Sequence, residues 1–141
     1  MVYLTRRETF NAAHRLYVQA WTEEENFAMF GKCANKNWHG HNYQLFVTVK
    51  GEPDVHTGFI IDAKKLSEVI KKEIVDRFDH QNLNEDTPYF KTIQPSTENF
   101  CKVIWNILEP LITDGVLHCI KLQETENIYA EYFGEQERKH P

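Results

Sequence analysis

The stretch Gly40-His41-Asn42-Tyr43-Gln44-Leu45-Phe46-Val47-Thr48-Val49-Lys50-Gly51 decides the fold class. His41, Tyr43, Leu45, Val47 and Val49 fall on one parity, so one face is mostly apolar, the pattern of a half-buried strand. Residues 2–14 alternate in the same way, with Val2, Leu4, Phe10, Ala12 and His14 on one side and Thr5, Arg7, Thr9 and Asn11 on the other. Downstream, Pro53 and Gly58 bracket a turn, and Gly58-Phe59-Ile60-Ile61 is predicted to return as a short strand. The period then changes. Asp62 caps a helix whose inner face is Leu66, Val69, Ile70 and Ile74. Asp79 to Pro88 is a polar connector. Ser96 or Thr97 caps a second helix, with Phe100, Val103, Ile104, Ile107, Leu108, Leu111 and Ile112 at helical spacing. Pro110 should interrupt it, because its ring clashes with the carbonyl four residues back, and Gly115 ends it. Val116 to Thr125 and Asn127 to Phe133 form a closing hairpin that turns near Glu126-Asn127.

The order β-β-α-α-β-β segregates strands from helices. It predicts an α+β fold in which a four-stranded antiparallel sheet carries both helices on one face. Such a sheet has two open edges and one bare face, which pairing with other copies commonly closes.

The 141 residues are expected to form a single domain spanning 1–141. Apolar residues at 41% and charged residues at 26% exclude collagen-like, low-complexity and disordered classes. The net charge of −5 disfavours nonspecific nucleic-acid binding, which depends on neutralising phosphates. No apolar run is long enough for a membrane span. Met1 to Glu8 lacks the apolar core of a signal peptide, and three cysteines (Cys33, Cys101 and Cys119) cannot all pair. We therefore expect free thiols in a reducing, cytoplasmic setting. Cys101 in a helix and Cys119 in a strand read as packing residues. Residues 15–38 make a long connection for a compact domain, and long loops are disproportionately functional. A short helix is predicted inside it, with Thr22 as N-cap, Glu23, Glu24 and Glu25 in the first turn and Gly31 as terminator. The charged tail, Glu135 to Pro141, is expected to fray.

Histidine is the unusual component. His39-Gly40-His41 places two imidazoles on one side of a strand, roughly 6.5–7 Å apart along the backbone, and His14 could add a third nitrogen if the two strands pair. Three histidines and an open position suit a catalytic zinc ion. Taken alone, an H-x-H pair is also compatible with a half-exposed strand end. Cys33 could be a buried packing residue, a fourth ligand that closes a structural site, or an activated thiolate. Asp79-His80 could be a cap with a surface side chain, or an acid–base pair. Glu124 could be solvated; if buried, it needs a partner offering two parallel donors. Its neighbours Ile120, Leu122, Ile128 and Tyr129 favour burial. Walker, nucleophile-elbow, H-E-x-x-H and Rossmann motifs are absent.

Six stretches in order carry a resemblance. They are Phe10-Asn11-Ala12-Ala13-His14-Arg15-Leu16, Phe30-Gly31-Lys32-Cys33, His39-Gly40-His41-Asn42-Tyr43, Asp79-His80-Gln81-Asn82-Leu83-Asn84, Pro95-Ser96-Thr97-Glu98-Asn99 and Gln123-Glu124-Thr125. Together they resemble the 6-pyruvoyl tetrahydropterin synthase family from about Arg7 to Gly134. The resemblance implies the tunnelling fold, a homohexamer built as a dimer of trimers, and active sites shared between subunits. It implies zinc on His14, His39 and His41, Cys33 as general base with Asp79 and His80 as its relay pair, and Glu124 anchoring a pterin ring, with Thr97 and Glu98 in the substrate site. The implied reaction takes 7,8-dihydroneopterin triphosphate to 6-pyruvoyl tetrahydropterin, with no redox cofactor. Arg15, Lys32 and Lys36 are local candidates to meet the triphosphate.

A sister branch that is similar in sequence makes 6-carboxy-5,6,7,8-tetrahydropterin for queuosine synthesis. The five residues Ala34 to Trp38 between Cys33 and His39, and Asn42-Tyr43 after His41, fit the pyruvoyl-forming branch instead. Trp38 stands where that pattern leads one to expect a small residue. A third branch, tied to folate, carries glutamate in place of the cysteine, and Cys33 argues against it. A noncatalytic, zinc-stabilised assembly module, with Cys33 closing a His/Cys site, is the reading from a different functional class.

Overall fold

The computed structural model describes residues 1–135; the expected frayed tail lies almost entirely outside them. Both long strands form where alternation predicts them: β1 (Val2–His14) and β2 (His39–Gly51) pair antiparallel along their whole length, from Val2 opposite Gly51 to His14 opposite His39. Between them lies α1 (Glu23–Phe30). Thr22 caps it by accepting the Glu25 N–H, three glutamates sit where the helix N-terminus favours negative charge, and Gly31 leaves it at φ 58°.

After β2, Asp62 caps α2 (Ala63–Ile70) through the Lys64 N–H. The helix runs on through a π-helical turn, Lys71–Val75, into α3 (Asp76–Phe78). Ser96 caps α4 (Thr97–Leu108) through the Asn99 N–H. Pro110 ends the α geometry as expected, and the chain continues as a 3-10 turn, Glu109–Leu111. The hairpin of β4 (Val116–Thr125) and β5 (Ile128–Tyr132) closes the fold.

Two expectations change. The segment Gly58–Ile61 forms no strand: Asp54 instead organises a turn, accepting from the His56 and Thr57 N–H groups, and Ile60 and Ile61 pack as side chains. A fifth strand, β3 (Gln81–Asn82), appears inside the polar connector and pairs parallel with Ala12 and Ala13 of β1. The sheet order is therefore β3-β1-β2-β4-β5. Two residues are too short for periodicity to reveal. The α+β class stands.

The core lies between one sheet face and the helices. Tyr43, Leu45, Val47 and Val49 from β2 and Ile120 and Leu122 from β4 meet Leu66, Ile70, Phe100, Ile104 and Leu108 from the helices, all fully buried. Burying each such side chain contributes roughly 1.5–3 kcal/mol. The opposite sheet face is polar. There Thr5 and Thr48 hydroxyls lie 2.7 Å apart, Arg7 donates to Gln44 Oε1 at 3.3 Å, and Lys121 lies over the Phe46 and Tyr129 rings.

Candidate active site

Strand pairing builds the centre. His14 sits opposite His39, and His41 lies two residues further along β2, so the pleat puts all three imidazoles on the helix-covered face. Their ring centroids are 4.5, 4.9 and 5.0 Å apart, with the rings steeply tilted to one another. His14 is buried, and its Nδ1–H donates to the Pro95 carbonyl at 2.7 Å. In the neutral ring that leaves Nε2 as a bare lone pair, 3.1 Å from His41 Nε2. Both ring nitrogens of His39 are buried without any hydrogen-bond partner.

Glu124 joins them. Alternation with Ile120 and Leu122 turns it inward, and the β4–β5 register shifts at this residue, a bulge of the kind that re-aims a side chain. Its Oε1 lies 2.8 Å from His41 Nε2 and 3.3 Å from His14 Nε2, while Oε2 accepts the Thr97 hydroxyl at 2.9 Å. Donor atoms of His14, His39, His41 and Glu124 all fall within 4.8 Å of one another. When His14 Nε2 carries a proton in place of a metal, the hydrogen bond from His14, then that from Thr97, holds the Glu124 carboxyl down at about 2 in spite of burial. Burial pushes His39 and His41 below the usual histidine range, favouring the neutral, metal-binding form. Convergent lone pairs and an orphaned buried imidazole make this donor set fit a divalent metal.

The remaining expected residues lie around this group. Cys33 sits half-buried in a 3-10 turn, Gly31–Ala34, outside the donor set. The Cys33 carbonyl accepts the Leu16 N–H at 2.9 Å, which ties its turn to the chain just beyond His14. By contrast, burial raises the thiols of Cys101 to about 12 and of Cys119 to about 11, as suits packing residues. Asp79 and His80 are bonded at 2.8 Å through Oδ2 and Nδ1, beside the far edge of β1. His80 has φ 60° and is fixed by donating its N–H to the Asn11 carbonyl at 2.6 Å, while Asp79 Oδ1 accepts the Asn11 N–H at 2.9 Å. The Asn11 amide, then His80, holds the Asp79 carboxyl below its ordinary value. His80 is largely exposed and lines a cleft of about 460 Å³ with Asn11, Gly40, His41 and Asn42. Among the described residues no hydrogen bond joins this pair to Cys33. Glu98 is exposed in the first turn of α4, outside the donor set.

Sequence reasoning missed the contact of Glu124 with the histidines and the role of the Pro95 carbonyl. The parity of Ile120, Leu122 and Glu124 could have revealed the first. Ile128 and Tyr129, expected to enclose Glu124, are exposed on β5, and Thr97 and the imidazoles enclose it instead.

A converging set of three histidines, one buried and two half-buried, with a half-buried carboxylate on a β-sheet defines an α+β protein with a candidate metal site. The comparisons make the class specific. The sequence profile of the 6-pyruvoyl tetrahydropterin synthase family matches residues 3–135. The 6-pyruvoyl tetrahydrobiopterin synthase of Homo sapiens is 42% identical over 132 residues, covering 94% of this chain and 91% of that protein. The solved structure of Caenorhabditis elegans 6-pyruvoyl tetrahydropterin synthase superposes with a TM-score of 0.89 at 35% identity, covering 95% of this chain and 96% of that one. The 6-carboxy-5,6,7,8-tetrahydropterin synthase of Rickettsia conorii is 26% identical over 149 residues, covering 93% and 99%. This chain belongs to the 6-pyruvoyl tetrahydropterin synthase family.

Proposed function

We propose that this chain, as one domain, is a zinc-dependent 6-pyruvoyl tetrahydropterin synthase acting on 7,8-dihydroneopterin triphosphate. The observation that carries the reading is the convergence of His14, His39, His41 and Glu124 within 4.8 Å, with both His39 nitrogens otherwise unpartnered. The three imidazoles hold the metal, and zinc is the ion that three neutral imidazoles with an open position suit best. Bound zinc supplies Lewis acidity toward the substrate's side-chain hydroxyls.

The chain's own groups do the rest. Cys33 takes a proton from the side-chain carbon, and Asp79 holds His80 as the donor–acceptor that moves protons at neighbouring positions. Glu124, ionised and braced by Thr97, accepts the pterin amine and ring N–H, with Glu98 at the rim of that pocket. Triphosphate leaves by elimination. Elimination leaves an enol that collapses to one carbonyl and the methyl group, and the two electrons lost as the other hydroxyl becomes a carbonyl reduce the pterin ring, so no external oxidant or reductant is consumed.

The higher identity to the pyruvoyl-forming relative, 42% against 26%, supports the pyruvoyl product over the carboxy product. Cys33 lies outside the group of His14, His39, His41 and Glu124 whose donor atoms converge, which removes the support for a closed His/Cys structural site. The polar uncovered sheet face and the separation of His80 from Cys33 support assembly into a homohexamer with shared sites. The three unpaired cysteines support a cytoplasmic setting, and no helix among the described residues is long and apolar enough to cross a membrane.

The test is product identification by mass after incubating the purified, zinc-assayed protein with 7,8-dihydroneopterin triphosphate. 6-Pyruvoyl tetrahydropterin with about one zinc per subunit is expected. A carboxy product with acetaldehyde, or no turnover by zinc-replete protein, overturns the reading.

A further inference from the structure

After His14 the chain runs outside strand and helix through residues 15–18, yet its backbone is paired as though it lay in a sheet. The partners are side-chain amides. Asn84 Oδ1 accepts the Arg15 N–H at 3.0 Å, and Asn84 Nδ2 donates to the Arg15 carbonyl at 2.9 Å. Gln94 does the same for Tyr17, at 3.1 and 2.8 Å, and the buried Asn26 for Val18, at 2.7 and 3.0 Å. A primary amide carries a donor and an acceptor in one plane, so it can stand in for a peptide unit of a neighbouring strand. Leu16, between the clamped residues, gives its N–H to the Cys33 carbonyl at 2.9 Å, and Arg15 Nε donates to the Ala34 carbonyl at 2.9 Å. The turn that carries Cys33 therefore rests on this strip.

Of these amides, Gln94 is the one that adjoins a group orienting an imidazole. The carbonyl of the next residue, Pro95, accepts the His14 Nδ1–H at 2.7 Å. The Gln94 carbonyl itself accepts Asn99 Nδ2 at 3.0 Å, which ties it to the first turn of α4. Its main chain is thus fixed to the metal side of the molecule, while its side chain fixes Tyr17 and, through Leu16, the Cys33 carbonyl. Among the described residues no hydrogen bond joins the Cys33 thiol to the converging histidines and Glu124, so the strip governs the separation between them.

We propose that Gln94 is a positioning residue, whose side-chain amide sets where the Cys33 turn stands relative to the metal centre. Its value to catalysis rests on the reaction proposed above, in which Cys33 takes a proton from substrate held at the metal. Transfer of that kind is steeply sensitive to placement, a shift of about 1 Å costing roughly 10²-fold. The placement of Cys33 by Gln94 does not depend on that reading.

The experiment uses the full, zinc-loaded chain. Gln94→Met keeps the length of the side chain and removes both bonds to Tyr17. Gln94→Asn keeps the amide but is a methylene too short to reach, and it decides the matter where Gln94→Met fails to fold. Alkylation by iodoacetamide is followed by peptide mass. Burial raises the thiols of Cys101 and Cys119, so Cys33 is the thiol the reagent meets first. A loosened turn exposes a half-buried thiol, and the Cys33 alkylation rate should rise by about threefold or more in both variants. Zinc content should stay at the parent level, because the Pro95 carbonyl is untouched. On 7,8-dihydroneopterin triphosphate, kcat should fall by about 10–100-fold and KM should change by less than about threefold. Loss of stability alone would lower the melting temperature and leave both kcat per zinc-loaded chain and the alkylation rate of the folded protein where they were. A Cys33 alkylation rate that does not rise overturns the inference whatever happens to kcat, and so does a loss of zinc, which would make Gln94 a support of the metal alone. A raised alkylation rate in a protein that does not turn over the substrate, or whose kcat ignores the substitution, leaves the positioning standing and removes Cys33 as the base of the proposed reaction.

Discussion

The metal centre and the Asp79–His80 pair lie close to the same strand, yet they are finished differently. His14, His39, His41 and Glu124 meet inside one chain, with His14 buried and the others half-buried, braced by Pro95 and by Thr97 at the start of α4. Asp79 and His80 are equally well anchored at the backbone, through both polar groups of Asn11, but the imidazole is left 74% exposed and unconnected to Cys33. The first region has every partner it needs within the chain. The second is rigid and points outward, as expected of a group completed by another copy. Fixing the backbone while exposing the side chain keeps the loss of freedom on assembly small.

The sharpest way to break this comparison is to damage the self-contained half. His41→Ala should lose zinc and activity outright, because two imidazoles and a carboxylate remain where three imidazoles held the ion. The sheet should survive, since His41 lies at the end of β2 and not among the fully buried core residues. Full zinc occupancy by elemental analysis would remove His41 from the ligand set. Cys33→Ala comes next. It should keep zinc, because Cys33 lies outside the donor set, and lose about 10²–10⁴-fold in rate as a general base is removed. Loss of zinc in that variant would make Cys33 a ligand.

Glu124→Gln is smaller and sharpens the boundary between metal and substrate. The amide presents a donor where a pterin also presents donors. Pterin binding should therefore weaken by ~2–5 kcal/mol, the range for breaking a buried, hydrogen-bonded charge pair, with zinc unchanged. A drop in zinc would place Glu124 among the ligands. The smallest effect is on acid stability. The Asn11 amide holds the Asp79 carboxyl below its ordinary value. The stabilisation it gives is complete above the unfolded value, about 4, and drains away as pH falls through the lowered one. Unfolding followed against pH should show a shallower acid limb in Asp79→Asn, and an identical limb would show the contact to be energetically silent.

Much of this was legible in the sequence because periodicity reports burial directly. The alternation in residues 2–14 and 40–51, and the i, i+3, i+4 pattern from Phe100, located the two central strands and α4, and the capping chemistry of Thr22, Asp62 and Ser96 located three helix starts. Parity put His14 on the inner face, but its meeting with His39 hung on the two strands pairing, and the register that sets them opposite one another comes from the structure. Glu124 was placed on a strand but not against the histidines, since that contact depends on β4 lying beside β2 and on the bulge at its end. β3 escaped because two residues carry no period. Gly58–Ile61 misled because short apolar runs look alike whether they pair as strands or simply pack.

The proposed function requires Cys33 and the metal group of one chain to meet His80 of another. Its most direct test is complementation. Cys33→Ala and His80→Ala chains, each inactive alone, are co-expressed and assayed as mixed oligomers on 7,8-dihydroneopterin triphosphate. If each site takes Cys33 and the metal from one chain and His80 from a neighbour, random mixing leaves about a quarter of the sites intact, and activity should return to that level. Mixed oligomers that stay as inactive as either parent would contradict the account and return the whole site to a single chain.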